Sequence, residues 1–572
     1  MEAATERAVS SFAKSLFLGE IHEELVFPFP KPDPEEQERI RGLIAALRDM
    51  PYDPGRVEEE RWIGDDTIAE LGERGLMGLY VPEEYGGQGL SQTGYCRVSE
   101  VFAQIDATLS VIMGVHQSIG MKGIALYGTD EQKARFLPDL ASGRKLAAFA
   151  LTEPNAGSDV ASMETRAERE ADGAWRLDGL KHYIGNGSKA GTLVTFANTG
   201  EKQYTAFILE QGMEGLEVGK RFDTMGLRGN DLRELRYNGI RVPPENVLGE
   251  PGHGFRIAMQ TLNNGRLSLG TGSVGGAKFL LDKTIQHVKE RRQFGQPLAD
   301  FELVQDKIGW AVSYLFGLES MAYLSTGLVD QGVKDYSLES AICKVAGTEF
   351  LWYAANRSLQ LAGGAGYMRD EPYEKYLRDI RIFPIFEGAN DVMRAFIALA
   401  GMKPLGDELK ELGGVSLGDP IGSIGVLAEY VAGRIVREVR PDRITRAHDE
   451  LDDLAGSVSE QVKRLRSVTE ALLREHRSGI AERQFHQKRL ASAVSDVYAQ
   501  VAVLSRVTAH LDEHGVEPSG QERYICDTFC RRAAARVMLA LDQIERNDDE
   551  RMVAIAKLAY KRGEYGYAFF ED

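Results

Sequence analysis

Glu387 is the acidic residue of this chain whose neighbours most favour proton-transfer chemistry. It lies between Phe386 and Gly388, after an apolar run with few other charges. The aromatic ring and the apolar residues exclude water, which favours the neutral acid and raises its pKa. Gly388 lets a ligand approach the backbone. A carboxylate in this setting is suited to removing a weakly acidic C–H proton, although a single glutamate is more often a solvated surface residue.

A second segment with useful chemistry is the string Phe149-Ala-Leu-Thr-Glu-Pro-Asn-Ala-Gly-Ser158. Thr152 and Ser158 offer hydroxyl groups, and Pro154 and Gly157 favour a turn that exposes backbone N–H groups. Such a loop suits a polar ring edge or a pyrophosphate, and a plain tight loop is an equally good interpretation. The string lacks the GxGxxG spacing, so a Rossmann dinucleotide fold is not indicated.

Three further segments carry weaker indications of ligand binding. The string Tyr183-Ile-Gly-Asn186 places an aromatic ring beside a glycine at a strand end. Arg291, shortly before Phe294, ends a predicted helix and offers a guanidinium for phosphate, but the helix dipole alone also favours a cation there. The Gly-rich string 360–367 is either a surface where a cofactor packs on backbone or an ordinary helix cap.

The elements that must position these segments follow from changes in apolar spacing along the chain. Helical spacing holds over about residues 36–146, strand-like runs follow, and helical spacing then returns. This order predicts an α+β protein with a C-terminal helical extension. The predicted strands include residues 175–178, 192–197 and 204–209. The expected parts are an N-terminal arm (1–35), a helical domain (36–146), a β domain (147–253), a second helical domain (254–404), a linker (405–422) and an additional helical domain (423–572).

Composition is that of an ordinary globular protein, with 572 residues, 43% hydrophobic and 27% charged. A net charge of −18 argues against nucleic acid as a partner. No apolar run approaches membrane-spanning length, and the acidic N-terminal segment resembles neither a signal nor a transit peptide. We therefore expect a cytoplasmic protein. No metal site is expected, because the histidines are scattered and the four cysteines are best interpreted as buried small hydrophobic residues.

Taken in order, these motifs resemble the acyl-CoA dehydrogenase family over about residues 36–404. The resemblance rests on the TEPNAGSD loop (152–159), the RxxFG segment (291–295), the GGAGY turn (363–367) and the FEGAND loop (386–391). The strings 26–30 and 262–266 and the extra C-terminal region are similar to the very-long-chain branch. This resemblance implies a middle β-barrel-like domain, a C-terminal four-helix bundle and an additional helical domain.

The resemblance also implies a function. Family members bind FAD and oxidise an acyl-CoA to its trans-2-enoyl thioester. For this chain the branch implies a long-chain or very-long-chain substrate in fatty acid β-oxidation, with electrons passed to an electron-transfer flavoprotein. Glu387 matches the base that removes the α-proton, while the β-hydrogen leaves as hydride to flavin N5. Residues matching FAD contacts are Phe149, Leu151, Thr152, Gly157, Ser158, Tyr183, Ile184, Gly185, Arg291, Phe294, Gln360, Gly363, Gly364, Ala389 and Asp391, those at 360–364 reaching a neighbouring subunit's FAD. Residues matching substrate contacts are Ser158, Asn263, Arg266, Phe386 and Gly388.

Two departures and one glycine pair refine this expectation. Gly185 stands where relatives usually carry Thr or Ser, which leaves flavin N5 without that hydroxyl. Gly265 stands where a minority carries an alternative catalytic glutamate, so Glu387 has no competitor. Gly120 and Gly123 remove two side chains from one helix face. By analogy they leave a deep acyl pocket, with close helix packing as the alternative.

The C-terminal extension implies a homodimer, because in this branch it covers the surface used by a second dimer. Residues 424–439 also form an amphipathic pattern suited to peripheral membrane contact, although a helix packed on its own domain is commoner. Two rival functions remain open. One is an acyl-CoA oxidase that reduces oxygen, and the other is a branch member acting mainly as an assembly or binding protein.

Overall fold

A computed structural model describes residues 11–411 and 443–568 of the chain, and the helices are numbered in chain order among them. Several helices begin at a residue whose side chain caps the first turn. In the helix Pro34–Arg48, for example, the Asp33 side chain accepts from the Glu36 N–H at 2.9 Å, and Pro34 lies in the first turn. The helices before the sheet are α1 Phe12–Phe17, α2 Glu23–Val26, α3 Pro34–Arg48, α4 Pro54–Glu60, α5 Asp65–Glu73, α6 Gln92–Ile105, α7 Ala107–Gly114, α8 Lys122–Tyr127 and α9 Asp130–Ala141, with a π-helical segment, Val115–Met121, between α7 and α8.

The middle of the chain forms one eight-stranded mixed sheet. Its strand order is β6-β7-β3-β2-β4-β5-β8, and β1 pairs in parallel with β4. The three strands predicted from the sequence lie within β3, β4 and β5 and are confirmed. The strands are β1 Leu146–Ala150, β2 Arg166–Arg169, β3 Trp175–Ile184, β4 Ala190–Gly200, β5 Gln203–Glu210, β6 Leu216–Arg221, β7 Arg233–Val242 and β8 Val247–Leu248.

Long helices follow the sheet and form the second helical domain and the additional one. A small hairpin, β9 Arg292–Gln293 and β10 Gln296–Pro297, interrupts them after the first helix. The helices are α10 Gly254–Glu290, α11 Glu302–Asp330, α12 Ser337–Ala362, α13 Pro372–Ile380, α14 Asn390–Glu411, α15 Asp452–His476, α16 Gln484–His514, α17 Gly520–Glu545 and α18 Asp549–Arg562. Because α14 continues to Glu411, the first part of the expected linker is helical.

The expected N-terminal arm packs into the core over its described part, which begins at Ser11. Phe12 and Phe17 are completely buried, and they belong to a core shared by α10–α14 and the additional helical domain. The Ser11 hydroxyl donates to the Glu339 carboxylate at 2.8 Å. These aromatic residues are stabilised by burial against an apolar surface, and later helices supply that surface. Composition alone does not reveal this contact.

One apolar segment corrects a sequence-based expectation. Residues Ala107–Tyr127 are long and apolar enough to cross a membrane by length and composition, so the expectation that no run approaches that length was wrong. In the structure, 61% of the segment's most apolar window is buried inside the protein. Its burial against the sheet and α10 is that of a core helix.

The cysteine expectation is confirmed, since all four cysteines are buried and unbridged. Within residues 11–411 and 443–568, no group of three or more His, Cys, Asp or Glu side chains is arranged to hold a metal ion.

Candidate active site

Glu387 lies in the turn between α13 and α14, in a backbone conformation that few residues adopt. Its φ is +55°, and that of Gly388 is +99°. A side chain at 388 would be strained, and its Cβ would lie 2.8 Å from the Met393 methyl carbon. Strained residues of this kind persist only where the surroundings hold them in place, and they cluster at functional sites. This glycine is therefore required by the turn.

The Glu387 carboxylate is inside the protein although the residue as a whole is half-buried. Its Oε2 is buried and accepts no hydrogen bond from any described residue. Burial raises the pKa of Glu387 to about 7, against the opposing effect of the Arg266 and then the Lys344 cations. A buried, unsatisfied carboxylate with such a pKa is poised to exchange a proton near neutrality.

Two buried cations hold the backbone on which the base stands. Arg266, on α10, donates from Nε to the Glu387 carbonyl at 3.1 Å. Lys344, on α12, donates from Nζ to the Gly388 carbonyl at 2.8 Å and to Asn390 Oδ1 at 2.7 Å. Sequence analysis missed Lys344; the available indication was a lone cation within the apolar helical run 341–346. Successive carbonyls of the turn are thus bound from two helices.

Gly265 provides the space that the base occupies. A Cβ at this position would lie 2.4 Å from Glu387 Oε2 and 2.8 Å from Ile119 Cγ2. A side chain at 265 and the carboxylate of Glu387 therefore compete for one volume. The geometry agrees with the expectation that a glycine here leaves Glu387 without a competitor.

The residues expected at the acyl-CoA lie partly beneath the base loop. Arg266 is 2% exposed and Asn263 is 7% exposed, and Asn263 Oδ1 accepts from Arg266 Nη1 at 2.9 Å. The half-buried Phe386 ring stacks on Phe383, with centroids 5.5 Å apart. The structure thus gives Arg266 and Asn263 a role in supporting Glu387, and their contact with substrate stays a prediction.

The loop after β1 is anchored by a buried ion pair that sequence analysis also missed. Glu153 and Lys181 are joined at 2.7 Å with almost no exposure of either side chain. Lys181 also donates to the Leu151 carbonyl at 3.1 Å, and the Thr152 carbonyl accepts from the His182 N–H at 2.8 Å. These bonds bring the expected loop beside the end of β3. Phe149 and Leu151 are buried, Thr152 is half-buried, and Gly157 and Ser158 are exposed.

The end of β3 presents an aromatic surface next to that loop. Tyr183 has a φ of +57° and is 57% exposed, and its ring lies 4.7 Å from that of Phe222. Ile184 is buried, and the space above Gly185 is limited by Val115, whose Cγ2 would lie 3.1 Å from a Cβ there. The exposed Tyr183 ring, together with the open space around Gly157 in the neighbouring loop, fits a flat, polar cofactor.

Other expected cofactor residues lie far from the base within one chain. Arg291 follows the end of α10, roughly 36 Å along that helix from Arg266 at about 1.5 Å per residue. Gln360 is similarly about 24 Å along α12 from Lys344. Phe294, at the tip of the β9–β10 hairpin, is 95% exposed. Also exposed are Arg291, Gln360, Gly363 and Gly364. Ala389 and Asp391 instead follow directly after the base turn, where Ala389 is half-buried and Asp391 is exposed.

The two glycines expected to open an acyl pocket differ in their surroundings. A Cβ at Gly120 would lie 2.7 Å from that of Ala147 and 2.6 Å from the Val115 carbonyl oxygen. At Gly123 it would contact Leu248 and Thr261 at ordinary distances. At Gly120 the missing side chain permits close packing of the π-helical segment on β1, which agrees with the alternative interpretation, and the acyl pocket stays a prediction.

Fold and site together define an enzyme that holds a buried carboxylate base beside a surface suited to a flat cofactor. The chain belongs to the acyl-CoA dehydrogenase family. Family models match residues 34–144 (acyl-CoA dehydrogenase, N-terminal domain), 148–240 (middle domain) and 252–402 (C-terminal domain). A further model, the ACAD9/ACADV C-terminal domain, matches residues 449–565.

Relatives and a solved structure agree with this assignment over nearly the whole chain. The very long-chain specific acyl-CoA dehydrogenase (mitochondrial) of Rattus norvegicus is 37% identical over 558 residues, covering 94% of this chain and 85% of the relative. The Homo sapiens protein of that name is 38% identical, covering 92% and 83%. An acyl-CoA dehydrogenase complexed with FAD from Bacillus anthracis is 27% identical with a TM-score of 0.80, covering 94% and 92%.

Proposed function

We propose that this protein is an FAD-dependent acyl-CoA dehydrogenase of fatty acid β-oxidation, with long-chain or very-long-chain acyl-CoA as its substrate. The main support for this proposal is the buried Oε2 of Glu387. This atom lies above Gly265 and has no hydrogen-bond partner among the described residues. The similarity to very-long-chain relatives over more than nine-tenths of the chain supports the chain-length preference.

Glu387 acts as the base for the α-proton of the acyl group. The thioester carbonyl acidifies the α C–H, and a carboxylate whose pKa is near 7 accepts that proton more readily than a solvated one. The Glu387 N–H is a donor for the developing enolate oxygen. The buried surroundings strengthen that interaction, because they exclude water.

FAD bound to this chain supplies the two-electron acceptor for the β-hydrogen. The loop after β1 and the end of β3 would hold the isoalloxazine, with Tyr183 and Gly157 forming its contact surface. Ser158, Phe386 and Gly388 would border the acyl-CoA, and Asn263 and Arg266 would approach it from α10. Residues assigned to the cofactor beside the base are Phe149, Leu151, Thr152, Gly157, Ser158, Tyr183, Ile184, Gly185, Ala389 and Asp391.

A homodimer completes the cofactor site in this proposal. Arg291 and Phe294 project from a hairpin remote from the base of their own chain, and the turn at Gly363 and Gly364 is likewise exposed. Their exposure supports a contact with FAD held by a second copy. Gel filtration coupled to light scattering measures the molar mass in solution, which we expect to be that of two chains.

We also propose an electron-transfer flavoprotein as the acceptor and a cytoplasmic location with peripheral membrane contact. Reduction of that flavoprotein without matching release of hydrogen peroxide separates a dehydrogenase from an oxidase. The amphipathic segment 424–439 lies outside the described residues, and fractionation of cells tests its expected membrane contact.

The decisive experiment is anaerobic titration of the purified yellow protein with acyl-CoAs from butanoyl to octadecanoyl. We expect the flavin absorbance to bleach fastest with tetradecanoyl to octadecanoyl chains. The Glu387→Gln variant serves as the control, since it retains both ligands but lacks the base. A wild-type flavin that no acyl-CoA bleaches would refute the proposed function.

A further inference from the structure

Lys344 is a buried cation directly behind the base loop. It is completely buried on α12, and its ammonium binds the Gly388 carbonyl at 2.8 Å and Asn390 Oδ1 at 2.7 Å. Removing a lysine charge from water is costly unless acceptors replace the lost solvation. Burial accordingly lowers the pKa of Lys344 to about 7, against the opposing effect of the Glu387 carboxylate, so the side chain is an ammonium up to about neutral pH.

The partner amide of Lys344 is itself fixed. Asn390 Nδ2 donates to Thr348 Oγ1 at 3.1 Å and to Glu349 Oε1 at 3.2 Å. Glu349 is in turn ion-paired with Arg394 at 2.5 Å. Because these bonds orient the Asn390 amide, its oxygen faces Lys344. The ammonium thus joins α12 to the first residue of α14 and to the turn before it.

The backbone that Lys344 binds adjoins the strained residue of the turn. Glu387 and Gly388 both have positive φ values, +55° and +99°. Glycine adopts such a value readily, whereas Glu387 keeps it only when neighbouring groups hold the turn. Arg266 binds the first carbonyl, and Lys344 binds the second. Losing either cation leaves one end of the turn free to rotate.

We propose that Lys344 is a positioning residue for Glu387, which fixes the turn so that the carboxylate stays above Gly265 and which supplies positive charge that favours its ionised form. The proposal rests on the proposed dehydrogenase function. The charged groups facing the pair are Arg266 from α10, Glu349 from α12 and Arg394 from α14.

Two variants separate the hydrogen bonds that hold the turn from the positive charge. Lys344→Met removes the hydrogen bonds and the charge, whereas Lys344→Gln retains a hydrogen-bond donor without a charge. With Lys344→Met we expect retained FAD and an unchanged KM, a maximal flavin-reduction rate lowered about tenfold or more, and a pH midpoint raised by about one unit. With Lys344→Gln the midpoint rises similarly, while the rate at high pH partly recovers.

Lys278→Met is the control for loss of lysine contacts at a half-buried position. Lys278 lies on α10 and is ion-paired with Glu100 at 2.6 Å and Glu319 at 2.5 Å, away from the base turn. Its loss should lower the melting temperature without moving the pH midpoint of flavin reduction. A stability effect alone therefore cannot imitate the predicted result.

A second readout needs no turnover. The raised pKa of Glu387 means that its ionisation lowers stability above its ordinary pKa, with the full loss above about pH 7. At pH 7, where Lys344 is still partly protonated, Glu387→Gln should therefore raise the melting temperature, and by more in the Lys344→Met background, where the compensating cation is absent. Equal gains in both backgrounds would contradict the charge role.

A Lys344→Met enzyme with the wild-type rate and pH midpoint would overturn the proposal. If instead no acyl-CoA bleaches the wild-type flavin, the dehydrogenase function fails, and the melting-temperature comparison still tests Lys344. The two failures are thus distinguishable.

Discussion

The base turn and the hairpin after α10 differ in what one chain provides. Glu387 is supported entirely from its own chain, by Arg266 below one carbonyl and Lys344 behind the next. Phe294, by contrast, is 95% exposed at a hairpin tip. The comparison teaches that the turn carrying Glu387 is held by contacts within a single chain, whereas the hairpin is exposed and, in our proposal, contacts the FAD of a second copy.

The largest effect is expected from removing the base. Glu387→Gln keeps the shape of the side chain but cannot accept the proton, so anaerobic flavin reduction should fall by about a thousandfold or more. FAD content and acyl-CoA affinity should stay near those of the wild type. Stopped-flow absorbance measures the rate. Flavin reduction at the normal rate would show that another group is the base. The comparison between the base turn and the hairpin would then rest on the wrong residue.

The next effect concerns the space below the carboxylate. Gly265→Ala places a Cβ where Glu387 Oε2 lies, at 2.4 Å, so the base must move and flavin reduction should fall about a hundredfold. Gly309→Ala is the control, because a Cβ there meets nothing within 4 Å. The same stopped-flow assay compares them. Equal rates for both variants would mean that the turn adapts freely.

The pH dependence follows from the raised pKa of Glu387. The base works only when ionised, so the rate of flavin reduction should rise with pH through about 7 and fall about tenfold per unit below it. Rates measured between pH 5 and 9 locate the midpoint. A midpoint near the ordinary pKa of glutamate would show that the carboxylate becomes solvated when ligands bind.

The smallest effect is expected at the displayed surface. Phe294→Ala should leave the base unchanged and raise the FAD dissociation constant about fivefold. This change corresponds to the loss of roughly 1 kcal/mol of binding free energy at an interface contact. Tyr524→Ala, at an exposed aromatic of α17, is the control. Equilibrium dialysis of FAD gives the dissociation constants. Unchanged FAD affinity together with an unchanged dimer would indicate that one chain suffices for the cofactor.

Local patterns predicted much of the framework. The strands at 175–178, 192–197 and 204–209 were found in β3, β4 and β5, and the helix expected before Arg291 ends at Glu290. These elements follow from apolar spacing and turn residues, which act over a few neighbours. The packing of the N-terminal segment and of Gly120 was not predicted in detail, because it depends on surfaces that come from distant parts of the chain.

The sequence by itself determined the α+β order, the base candidate Glu387 and the glycines around it, since flanking aromatic and glycine residues are local information. Only the tertiary structure decided that Arg266 and Lys344 meet at this turn, and that Glu153 and Lys181 anchor the loop after β1. Each of these pairings joins residues far apart in the chain. Burying their charges costs free energy unless a partner group lies within bonding distance, and only the folded chain brings that partner there.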